Sequence, residues 1–467
     1  MIKAASYRNH MGVAINRKKA SGFDRSRMEM PMESNQTIAR QLREGQYDSQ
    51  LCRLYGAEGA ALQPYQERLC NLLARYQETY HQPCASLFSV SGRTELSGNH
   101  TDHQNGCVLA AGVSLDVIAA AAPNGTNLIR VKSEGYPEDL IDLSQRIPMP
   151  EETNTATALI RGVAARFIQL GYPVSGFDAY TTSSVLKGSG LSSSAAFEVL
   201  LGNIINAFFA DGAETPVSIA QIGQYAENVF FGKPCGLMDQ MACSLGNVAS
   251  IDFADPDNPG IRQVSLDLQK AGYALCIIDS GGDHADLTAC YAAVPAEMRS
   301  IARQFGKQVL RQVPQAEFEA AIPALRKACG DRAVLRTMHF YGENARVMEQ
   351  TAALEQGNIP RFLALVTESG RSSEALLQNI FDCRNPRQQP VSMALALCRQ
   401  LLHDEGACRI HGGGFAGTVQ AFVPLDRLSA FRSGMEAVLG AGACHLLQIR
   451  STGGMQLTCL LYTSPSP

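Results

Sequence analysis

The chain has no excess of positive charge. Its 467 residues carry 40 Lys and Arg against 44 Asp and Glu, a net charge of −4. That balance excludes the basic footprint of a nucleic-acid or anionic-membrane binder and leaves a small molecule as the expected partner. Long apolar runs are missing too. Stretches such as Val117–Ala122 are far too short to cross a bilayer. Fourteen cysteines run from Cys52 to Cys459, but none forms a C-x-x-C pair and no apolar leader precedes them. The pattern reads as free thiols in a reducing cytoplasm, so a cytoplasmic location is expected. A Walker A loop, G-x-x-x-x-G-K-[ST], is absent, as is H-E-x-x-H. There are no internal repeats and no low-complexity linker. What remains is ordinary globular composition, 45% hydrophobic and 18% charged, at a length that suggests two or three domains.

The two ends differ from the rest. Residues 1–27 are basic, with Asp24 as the single acid, and lack apolar periodicity. An over-extended start before Met28, Met30 and Met32 accounts for this, and so does a transit peptide. At the far end "TCLLYTSPSP" follows a strand-like "MQL". Residues 1–31 and 458–467 are therefore expected to lie outside the fold. Between them the apolar spacing predicts a helix over 65–80, a strand at "SLFSVSGR", β structure over "CVLAAGVSLDVIAAAAP" with a turn at Pro123-Asn124-Gly125, and a strand at "LIRVKS". Helices are predicted over 156–170, from the serine run through Phe208, and over 217–231. A strand at "YALCIIDS" and helices near 291–306 and 314–328 follow. The turn cluster Asp255-Pro256-Asp257-Asn258-Pro259-Gly260 marks a domain boundary near 260–270.

Four stretches carry chemistry. In "KGSGLSSSAAFEV" glycines free the backbone to turn its N–H groups inward, and a helix follows that aims its positive end at the same place. Together they make an anion cradle suited to phosphate, with serine hydroxyls for phosphate or magnesium; a plain glycine turn with serine caps is the alternative. "HGGGFAG" holds a formal G-x-G-x-x-G at Gly412, Gly414 and Gly417, but "TVQAFV" after it reads as a strand. A dinucleotide site is thereby excluded in favour of strand, tight turn, strand, serving either close packing near a ligand or the hairpin alone. "AENVFFGKPCGLMDQ" sets Glu227 on a polar helix face and Asp239 just after a break, as a helix cap or as a carboxylate at a site mouth. "GRTELSGNHTDH" offers His100, Asp102 and His103, yet lacks further ligands at zinc spacing, and Asn99 and Asp102 suit hydrogen bonding better than zinc.

These stretches resemble the three ordered motifs of the GHMP small-molecule kinases, and "KPCGLMDQMACSLG" resembles the segment that holds the catalytic aspartate in their galactokinase branch. The resemblance spans about residues 86 to 455. It implies an α+β fold of two domains, a ribosomal-S5-like nucleotide domain over 32–265 and a ferredoxin-like-type sandwich over 266–457, with the active site between them. It implies ATP and Mg2+ as cofactors, and galactose as the sugar phosphorylated at its anomeric hydroxyl. Asp239 matches the base and Arg93 the arginine beside it. Lys187, Gly188, Ser189, Gly190, Leu191, Ser192, Ser193 and Ser194 match the phosphate loop. Ser194 and Glu227 match the magnesium ligands. Asn99, His100, Asp102, Gly236 and Tyr291 match the sugar contacts, which makes "HTDH" a polyol-recognition loop. A monomer or weak oligomer is expected. The first motif departs from the family pattern. Asn99 stands where glutamate is usual, Glu95 and Ser97 where Asn and Ile are common, and His103 where Tyr is. A galacturonate or other hexose kinase, and a catalytically silent sugar sensor, are the alternatives.

Overall fold

The computed structural model describes residues 32–185, 191–282 and 287–458. Its first sheet has eight strands. Ser86–Ser97 pairs antiparallel with the 17-residue strand Cys107–Pro123. The far half of that long strand pairs with Phe177–Ser183 and its near half with Val248–Asp252. Leu128–Ser133 is the parallel member, against Phe177–Ser183. Alternation along Cys107–Pro123 gives each face its own core. Ala119 and Ala121 pack under the helices Ala156–Gln169 and Ser193–Phe209, whereas Ile118, Ala120 and Ala122 face Asn35–Arg43, Asp48–Tyr55 and Gln63–Tyr80.

The second sheet is antiparallel, in the order Cys444–Leu447, Tyr273–Asp279, Thr418–Pro424, Ala407–Ile410. One face is covered by Pro390–Leu402 and Leu428–Leu439. The other meets Asp331–Glu355 and Ile359–Ser372, whose Val347, Phe362 and Val366 join the large core of the first sheet. The glycine motif lies between paired antiparallel strands, Ala407–Ile410 and Thr418–Pro424, as its sequence implies.

Gly260–Val264 is an edge of the first sheet, and the next strand, Tyr273–Asp279, belongs to the second. The chain then returns. Ile449 bridges to Val113, and Met455–Gln456 adds a strand to Ser86–Ser97. Thr458, the first residue of the expected tail, accepts a hydrogen bond from the Leu87 amide at 3.1 Å through Oγ1. Among the described residues no helix is long and apolar enough to cross a membrane.

Candidate active site

The pairing register of Ser86–Ser97 shifts between Ser91 and Arg93. A bulge of this kind re-aims the side chain that follows it. Arg93 is buried, its amide donates to the Leu191 carbonyl at 3.2 Å, and its Nε donates to Asp239 Oδ1 at 2.8 Å. Asp239 sits in the first turn of Met238–Leu245. Ser192 Oγ donates to its other carboxylate oxygen, Oδ2. Ser192 holds φ at 55°, a left-handed backbone that non-glycine residues rarely adopt. Both oxygens of Asp239 are thus fixed while a third of its side chain stays exposed. Burial pushes its carboxyl up, but the Arg93 guanidinium and the Ser192 hydroxyl bring it below the usual aspartate range.

Ser193 and Ser194 open the 17-residue helix Ser193–Phe209, whose first N–H groups and dipole form the anion end. Lys187, Gly188, Ser189 and Gly190 lie outside the described residues; Leu191 is buried, and Ser192, Ser193 and Ser194 are half-buried.

The helix predicted over 217–231 is a regular helix only at Pro216–Tyr225. It widens into a π-turn at Ala226–Phe231, the kind of insertion often found at functional sites, and that turn carries Glu227. Glu227 Oε2 accepts from Gln240 Nε2 at 2.9 Å, and its Oε1 lies 3.3 Å from Lys233 Nζ. The same Gln240 nitrogen donates to Glu198 Oε2 at 3.0 Å. Sequence reasoning missed Glu198. Its signal is a carboxylate within an apolar helical stripe, one turn after Ser194. Burial and then the charge of Glu227 hold its carboxyl well above the ordinary range. Its Oε1 has no hydrogen-bond partner among the described residues. Two oxygen-bearing acids with an orphaned oxygen suit a hard divalent cation. No group of three or more His, Cys, Asp or Glu is gathered for a metal among the described residues.

The residues that the resemblance assigns to the sugar are arranged as follows. Gly236 presses against Asp102 so closely that a Cβ would sit 1.7 Å from Oδ2, so a larger residue would displace the Asp102 carboxylate. Asp102 Oδ1 accepts from the His103 amide at 2.8 Å. His100 has φ 60°, and its Nε2 lies 2.9 Å from the Gly413 carbonyl. Burial, and then His103, keep its imidazole neutral well below the usual histidine range. Tyr291 donates its hydroxyl to the Gly414 carbonyl at 2.8 Å. Asn99 differs from these half-buried groups. It is 1% exposed, and its amide donates to Glu95 at 2.9 Å and to the Gly412 carbonyl at 2.7 Å while accepting from Asn379 at 2.8 Å. Beside it Arg409, wholly buried, pairs with Glu95 at 2.8 Å. A cavity of about 180 Å³ opens next to Asp102 and Gly236 and is lined by His103 and Arg299.

The family model for the GHMP kinases N terminal domain matches residues 158–247, and the galactokinase galactose-binding signature matches residues 74–123. The first match covers the anion end, Glu227 and Asp239; the second covers Arg93 and the HTDH loop. In solved structures the fold is similar to that of Lactococcus lactis galactokinase complexed with galactose, at 23% identity over 83% of this chain and 100% of that one, with a TM-score of 0.72. It is also similar to L. major mevalonate kinase in complex with R-mevalonate, at 14% identity over 80% and 97% with a TM-score of 0.53. Streptococcus pneumoniae phosphomevalonate kinase, in complex with phosphomevalonate and AMPPNP, matches at 13% identity over 79% and 99% with a TM-score of 0.53. At these identities the structures speak to the fold alone. The chain carries a match to the GHMP kinases N terminal domain and a match to the galactokinase galactose-binding signature, within a fold similar to that of these sugar and mevalonate kinases.

Proposed function

We propose that the protein transfers the γ-phosphoryl group of ATP to the anomeric hydroxyl of galactose, giving galactose 1-phosphate and ADP for galactose catabolism. The observation that carries this is the Arg93–Asp239–Ser192 cluster at the start of an anion-binding helix. A carboxylate is held there by both oxygens yet left partly open. Phosphoryl transfer asks the protein for positioning and charge stabilisation more than covalent chemistry. In this reading Asp239 orients the C1 hydroxyl and takes its proton as the new O–P bond forms and the bond to ADP breaks. Arg93 keeps Asp239 ionised and faces the charge that develops on the phosphoryl oxygens. The loop from Lys187 to Ser194 holds the phosphates. His100, Asp102, Gly236 and Tyr291 meet the ring hydroxyls. Ser194 and Glu227 would hold Mg2+, which when bound neutralises phosphate charge, and the unpaired oxygen of Glu198 adds to that surface.

One observation favours a second sugar. The Arg299 guanidinium in the cavity beside Asp102 suits an acidic substituent, as in a uronate. ADP release over a panel of sugars, with the product located by NMR, separates the readings. Galactose should give the highest kcat/KM and a C1 phosphate. A preference for galacturonate overturns the substrate, and galactose binding without ADP release makes the protein a sensor.

A further inference from the structure

The phosphoryl transfer itself makes no use of the glycine hairpin between Ile410 and Thr418, yet the sugar side is hung from it. Three successive carbonyls are taken by the buried Asn99 and by two residues of the proposed sugar site. Gly412 accepts from Asn99 at 2.7 Å, Gly413 meets His100 at 2.9 Å, and Gly414 accepts from Tyr291 at 2.8 Å. Asn99 and His100 lie in the turn after the strand Ser86–Ser97, and Tyr291 in the helix Thr288–Gln304, so the hairpin joins distant parts of the chain.

The hairpin is in turn moulded on one residue. Asn379 is wholly buried and follows the π-turn Ser373–Leu377. Its Nδ2 donates to Asn99 Oδ1 at 2.8 Å and to the Gly413 carbonyl at 3.2 Å, and its own carbonyl accepts from the Phe415 amide. Gly412, Gly414 and Phe415 have φ of 66°, 82° and 61°, all left-handed. A Cβ on Gly414 would lie 2.3 Å from the Asn379 carbonyl oxygen. Phe415 is a bulky side chain in a backbone region that disfavours it, so its neighbours impose the conformation. It packs edge-on to Tyr291 at 5.4 Å.

We infer that Asn379 is a positioning residue for sugar recognition: it fixes the glycine hairpin so that the hairpin's carbonyls hold His100 and Tyr291 in their sugar-reading places. The inference rests on the sugar-kinase reading above. An amide is needed because both partners of Nδ2, the Asn99 oxygen and the Gly413 carbonyl, are acceptors. A carboxylate of the same shape would meet both with repulsion.

The test is Asn379→Asp, with Asn379→Ser as a milder second variant. Sugar and nucleotide are read separately, by KM and by the rise in melting temperature that galactose or ATP produces. Wild type is assayed first, since its failure to phosphorylate galactose sinks the functional reading and not this one. With active wild type, Asn379→Asp should raise the galactose KM by about 10-fold or more, the scale of one lost buried hydrogen bond. It should leave the ATP KM and the ATP-induced stabilisation within about 2-fold, and Asn379→Ser should fall between. A galactose KM unchanged in both variants, or galactose and ATP terms weakened together, overturns the inference. So does loss of folding in both variants, which would assign Asn379 to stability alone.

Discussion

Asp116 and Asp239 are built from the same parts and set in different surroundings. Each is a carboxylate beside arginine that accepts a hydrogen bond from serine. At Asp116 the donors are Ser89 at 2.6 Å and Tyr55 at 2.7 Å, with Arg68 and Arg450 against it; at Asp239 they are Arg93 and Ser192. Burial would raise both carboxyls and the arginines hold both below the usual range. The difference is access. Asp116 has no exposed side-chain surface, and it ties the helices Asp48–Tyr55 and Gln63–Tyr80 and the returning C-terminal segment to the first sheet. Asp239 keeps a third of its side chain open beside the anion end of a helix. An Asp–Arg pair is therefore not itself a mark of catalysis. What decides is whether the carboxylate faces protein on every side or a space that a substrate can enter.

Exchanging each acid for its amide should separate the two roles most widely. Asp116→Asn leaves the guanidiniums of Arg68 and Arg450 without their counter-charge. It should cost about 3–5 kcal/mol in denaturant unfolding, as breaking a buried ion pair does. Turnover of the folded fraction should be little changed. Asp239→Asn should lower kcat by ~10²-fold or more with little effect on unfolding. If Asp239→Asn keeps most of its turnover, or Asp116→Asn loses activity without losing stability, the contrast collapses.

The pH profile sharpens the same contrast. Because the folded carboxyl of Asp239 lies below the usual aspartate range, it stays ionised as pH falls through that range. The acid limb of kcat/KM should therefore lie lower than a free aspartate would give. Arg93→Met removes the charge that holds it down and leaves burial, which acts upward, so the limb should move to higher pH. A limb that stays in place in this variant would mean that another group sets it.

Glu95 is a third buried acid, and it lies between the two cases. Arg409 pairs with it and Asn99 donates to both of its oxygens, yet burial outweighs them and its carboxyl is raised. Arg409 is the cation paired with it, and the Arg93 charge also acts on it. Asn99→Glu would add a second carboxylate at hydrogen-bonding distance from the first, and should destabilise the fold by about 1–3 kcal/mol. Adding Glu95→Asn restores a single acid and should recover most of that loss. Denaturant midpoints of the single and double variants check this; the absence of any recovery would remove the charge argument.

These regions were unequally legible in the sequence. The strand from Ser86 and the helix after the serine run show in local periodicity, because each buries one regular face. The hairpin nature of "HGGGFAG" shows because a strand pattern, not a helix pattern, follows it. Arg93, Asp239 and Glu227 were found by motif, and the structure brings Arg93 and Asp239 into contact. The inward engagement of Asn99 was not legible, since Asn379 and Gly412 lie about three hundred residues away in the chain. Arg409 looked like an ordinary strand residue, and its burial depends on the first motif crossing over the second sheet. The π-turn at Glu227 has no local signature; the spacing 217–231 is equally consistent with an unbroken helix.

Ser192 gives the finest test of the comparison, because the corresponding serine at Asp116 carries no such strain. Ser192 accepts a left-handed backbone, and its hydroxyl then reaches Asp239. Ser89 lies within the regular strand Ser86–Ser97. Removing the hydroxyl and removing the strain are separable by choice of substitution. Ser192→Ala loses the hydrogen bond and keeps the unfavourable backbone, whereas Ser192→Gly loses the bond and relieves a strain of roughly 1–2 kcal/mol. Both should lower kcat by roughly 10-fold, the scale of one charge-assisted hydrogen bond that orients the base. Their stabilities should diverge, with the glycine variant at least as stable as wild type and the alanine variant less so. Equal stabilities would show that the left-handed backbone costs nothing here. Unchanged kcat in both would show that Arg93 alone is enough to orient Asp239.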